Sequence, residues 1–61
     1  MDLQERIRNA IVAELRRQAE ACDPAPKVDA TEPGYAVIEG RIDLDALIMV
    51  IEGALAGGPS G

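Results

Sequence analysis

Apolar residues recur every four positions near the start of the chain, at Leu3, Ile7, Ile11 and Leu15, with Ala10, Ala19 and Cys22 alongside. That spacing predicts an amphipathic helix over residues 2–22 whose apolar stripe drifts slowly around the axis. Asp2 is placed to cap it, and Glu5 three residues on completes a capping-box variant. Asp2–Arg6, Arg16–Glu20, Glu5–Arg8 and Glu14–Arg17 fall at helical pairing distances. Each such pair adds only ~0.2–0.5 kcal/mol. Asp23-Pro24-Ala25-Pro26 ends the helix, because proline cannot continue it and restricts the residue before it.

Residues 23–34 read as a connector that closes on the turn dipeptide Pro33-Gly34. Residues 35–39 alternate as a short strand, with Tyr35 and Val37 on one face and Ala36 and Ile38 on the other. Gly40 permits a sharp change of direction. A second helix is predicted for residues 44–57. Asp43 is its cap, Asp45 complements its dipole, and Ile42 and Leu47 are spaced as a hydrophobic staple. Gly57, Gly58 and Pro59 stop it, leaving residues 59–61 as a flexible tail to a single domain of residues 1–58.

The second helix is the more apolar. Leu44, Leu47, Ile48, Ile51 and Leu55 make one face, and Val50 and Ala54 widen it to roughly 160°. Ala46, Gly53 and Gly57 form a small-residue edge. So wide a surface suits two partners: the first helix and strand on one side and a second copy on the other.

Composition strengthens that expectation. The chain has 61 residues and 48 % apolar side chains, but one Tyr, no Phe and no Trp. Ten of the apolar residues are alanines. Chains this short bury only ~60 % of their extended surface and usually need disulfides, metal or oligomerisation. Cys22 is the single cysteine and His is absent, so no intrachain disulfide or zinc site can form. Oligomerisation remains. The predicted architecture is α+β, a helix–loop–short strand–helix unit forming an intertwined or strand-paired homodimer. In it the strand pairs with its two-fold mate, because an isolated strand leaves its backbone unpaired. A local hairpin with residues 27–29 is the alternative.

Net charge is −5, and the whole excess lies in residues 23–61. Such a balance disfavours polyanion binding, and each of the four arginines of the first helix lies near an acid. No aromatic platform for bases exists. Asp43-x-Asp45 could open a calcium loop, but the sixth and twelfth positions hold Ile48 and Ala54. Cys22 lacks a histidine to activate it and reads as a small, half-buried residue. The remaining acids read as solvated. No catalytic, cofactor or metal residues are therefore assigned, and no enzyme is expected. No apolar run reaches membrane-spanning length and no secretory pattern opens the chain, so a cytoplasmic location is expected.

The opening Met-Asp-Leu-Gln-Glu-Arg-Ile-Arg-Asn-Ala-Ile and the segment Val-Ile-Glu-Gly-Arg-Ile-Asp-Leu-Asp-Ala-Leu resemble short proteins of actinobacterial phages and prophages. The resemblance covers the two ends, about half the chain. It implies a phage or prophage origin but no mechanism. The expected function is a small non-enzymatic protein-interaction module acting as a homodimer and binding a host protein or the virion. A small nucleic-acid-binding regulator is the rival. The candidate interface comprises Leu44, Leu47, Ile48, Val50, Ile51, Gly53, Ala54 and Leu55, with Tyr35 and Val37 from the strand. The expected partners are a second copy and an unidentified protein, with no membrane and nucleic acid disfavoured.

Overall fold

A computed structural model describes residues 2–56. Four elements follow in order: α1 (Leu3–Ala21), β1 (Lys27–Asp29), β2 (Val37–Glu39) and α2 (Leu44–Ala56). The architecture is α+β, helix–strand–helix with the strands as a hairpin. The tail at 59–61 and the helix stop at Gly57-Gly58 lie outside the described residues.

Both helices start where their caps predict. The Asp2 carboxylate accepts a hydrogen bond from the Glu5 amide at 2.8 Å. Asp43 accepts from the Ala46 amide at 3.1 Å, and its carbonyl takes the Leu47 amide at 3.2 Å. The two carboxylate bonds each satisfy an amide that the first turn leaves without a partner inside the helix, and the Leu47 bond is the first of the helical ladder. Ile42 and Leu47, flanking the second cap, are both half-buried. At the other end of α1, the Cys22 amide bonds the Gln18 carbonyl before the prolines stop the helix.

The strand is shorter than the pattern predicts, and it finds its partner within the chain. β1 and β2 pair antiparallel, with Lys27 opposite Glu39, Val28 opposite Ile38 and Asp29 opposite Val37. The local hairpin, not a symmetry mate, therefore satisfies the inner edge of β2. Its connection is built from turn chemistry. Asp29 accepts from the Thr31 amide at 3.1 Å and the Thr31 hydroxyl at 2.7 Å, which lowers the Asp29 pKa. The Tyr35 amide then bonds the Glu32 carbonyl across Pro33-Gly34, with Gly34 at φ +85. Proline followed by a positive-φ glycine is the type II turn pattern.

α1 is the organising element, packing against α2 on one side and β1 on another. α2 makes no comparable packing with the hairpin among the described residues, so the expectation that it rests on helix and strand together is corrected to α1 alone. The Cα atoms span 36 × 23 × 14 Å. The interior is small: Leu15 is the buried large apolar side chain among the described residues, and Glu14, Gln18 and Pro26 are the other buried residues there.

Candidate functional site

The buried polar residues come first, because they hold the two helices in register. Gln18 is fully buried. Its side-chain oxygen accepts the Asp43 amide at 2.7 Å, and its amide nitrogen donates to the Asp43 carbonyl at 3.1 Å. The primary amide thus pairs with both the N–H and the C=O of one residue, as a residue of a neighbouring antiparallel strand would. The same nitrogen donates to Glu14 at 2.9 Å. Glu14 in turn receives two bonds from the Arg17 guanidinium, at 2.8 and 2.6 Å. These bonds from Arg17 and then Gln18 outweigh partial desolvation and hold the Glu14 carboxyl down to about 2. Arg17 shifts the opposite way, raised by the same hydrogen bonds.

Two expectations are corrected here. Glu14 is not a solvated carboxylate but a buried one, and of the four pairs predicted along α1 it forms the one that closes among the described residues. Cys22 is exposed rather than half-buried. It borders a cleft of about 320 Å³ between the end of α1 and the entry to α2, shared with Arg41 and Pro24.

The candidate interface divides into two faces. On α2, Leu47, Val50, Ile51 and Ala54 are half-buried on the side nearer α1. Leu44, Ile48 and Leu55 stay open, at 64 %, 52 % and 54 % exposure. With Ile51 they are spaced four, three and four apart, the a/d rhythm of a helix seam seeking a partner helix. Asp45 and Glu52, both exposed, flank this seam on its outer side. Gly53 lies on the far side of the helix, and a Cβ there would meet nothing within 4 Å inside the chain. Of the small-residue edge, Gly53 is thus open rather than packed within one chain, Ala46 is half-buried, and Gly57 lies outside the described residues.

Tyr35 and Val37, at 70 % and 66 % exposure, do not join that seam. Tyr35 instead borders a groove of about 780 Å³ between α1 and residues 30–36. Ile7, Ile11 and Val12 floor the α1 side, with Arg8 and Arg16 also lining it, while Glu32 sits in the opposite wall. The sequence reading missed this groove because its far wall is the hairpin connection, whose path over α1 no helical or strand period encodes.

No group of three or more His, Cys, Asp or Glu side chains comes together among the described residues, and no described helix is long and apolar enough to cross a membrane. No protein-family model matches the chain, and neither a curated protein nor a solved structure matches it.

Proposed function

We propose that this chain is a small non-enzymatic interaction module that works as a homodimer and, in that form, binds a further protein. The observation that carries the reading is the open seam of Leu44, Ile48 and Leu55 on a chain with so small an interior. Contiguous exposed apolar surface of this kind marks association sites. A second copy supplies the missing layer, since an apolar helix face must pack on another element. The resemblance to phage and prophage proteins suggests a host protein or the virion as the further partner. A cytoplasmic setting suits the exposed thiol of Cys22, which stays reduced there.

Sedimentation equilibrium at tens of micromolar should give at least twice the 6.4 kDa chain mass. A monomer with full helical circular dichroism at that concentration would end the homodimer reading. The nucleic-acid rival draws on Arg8 and Arg16 lining one groove, against an overall charge of −5. A gel shift at low salt that disappears as salt rises would favour it, because phosphate contacts release counterions.

A further inference from the structure

The molecule carries two open surfaces of opposite character. One is the acidic-flanked apolar seam of α2. The other is the groove on α1, floored by Ile7, Ile11 and Val12 and edged by Arg8 and Arg16. Arg8, Val12 and Arg16 stand one turn apart in a single row, so the two guanidinium-bearing positions are separated by about 12 Å along the axis. Asp45 and Glu52 on α2 are separated by about 10.5 Å on the same measure. Long arginine side chains absorb the difference. The two rows match in length, oppose in sign, and each borders an apolar strip.

Within one chain these surfaces cannot meet. α2 packs by its other side against α1, and it makes no packing with the hairpin that forms the groove's second wall. We propose that the groove receives the α2 helix of a second copy, and that the exchange is reciprocal: each chain's Leu44–Ile48–Leu55 seam lies in the other's groove, with Asp45 and Glu52 facing Arg8 and Arg16. This deepens the homodimer reading and rests on it. The competing arrangement, α2 against α2 across a two-fold, brings Asp45 and Glu52 of one chain near those of the other or leaves them without basic partners. The groove arrangement pairs those acids with bases and covers Tyr35 as well. A two-fold relation makes both contacts identical and closes the assembly at two chains.

The test is a charge exchange at four exposed positions. Asp45→Lys/Glu52→Lys makes one variant, with seam and groove both basic. Arg8→Glu/Arg16→Glu makes the other, with both acidic. Each alone should show a dimer dissociation constant raised about tenfold or more by sedimentation, with wild-type helical circular dichroism. An equimolar mixture should regain wild-type association, because every seam then meets a groove of opposite sign. If both variants dimerise as the wild type does, the homodimer stands and the groove proposal falls. If both are folded monomers and mixing restores nothing, the proposal also falls. A monomeric wild type removes both readings. Should a variant lose helix, the neutral pairs Asp45→Asn/Glu52→Gln and Arg8→Gln/Arg16→Gln replace it, and wild-type association by those two overturns the proposal.

Discussion

At the residue scale, Gln18 is the side chain on which the helix pair turns. A buried primary amide is stable only when its donors and acceptor are used, and Gln18 uses both ends on Asp43. Gln18→Glu keeps the shape but removes the donor and sets a second carboxylate beside Glu14. We expect a loss of about 1–3 kcal/mol at neutral pH by urea denaturation, with part recovered on acidification. No loss would mean that the Asp43 peptide group finds water instead. Glu14 gives a separate prediction with a definite sign. Its pKa falls from the ordinary 4.5 to about 2 on folding, so its contribution is present above 4.5 and is lost as pH drops toward 2. Stability of the wild type should decline through that window, and the Glu14→Gln variant should show a flatter profile there. Parallel profiles would place the acid sensitivity elsewhere. Neither residue was legible in the sequence. A Glu and a Gln spaced four apart on a polar-looking face give no sign of burial until a second helix covers them.

At the element scale the elements themselves were legible because their signals are local. Asp2 and Asp43 cap as their positions relative to the apolar runs require, and Pro33-Gly34 turns as the dipeptide implies. Which strand pairs with which was not legible. β1 is three residues with a single apolar side chain, Val28, and its pairing depends on the turn bringing it to β2. Two glycines separate backbone need from tolerance. Gly40, leaving β2, has φ +120, and a Cβ there would come within 3.0 Å of the Pro26 backbone. Gly40→Ala should therefore cost about 1–3 kcal/mol, read as a lowered melting temperature. A neutral result would show that the junction can shift away from Pro26. Gly53 sits in a helix with open space around its Cα. Gly53→Ala should stabilise by about 0.5–1 kcal/mol without changing the sedimenting mass. A fall in mass would mean that a second chain packs against this position, as the small-residue edge predicts.

At the scale of the whole molecule, the homodimer proposal makes stability and association one property. The structure leaves Leu44, Ile48 and Leu55 exposed while enclosing little else, so a single chain has scant apolar burial to offset the entropy of ordering it. A dimer that covers the seam gains that burial, and folding then depends on protomer concentration. The melting temperature should rise with concentration, since mass action favours the associated native state over unfolded monomers. Ile48→Lys places a charge at the middle of the seam. It should leave the packing of α1 on α2 in place, because Ile48 is on the open side. The variant should then melt at a lower temperature that no longer depends on concentration, and sediment at the chain mass. A concentration-independent melt of the wild type, equal to that of Ile48→Lys, would mean the seam faces water in the working state. In that case the stability of this chain would rest on the Gln18–Asp43 junction and the few side chains around Leu15.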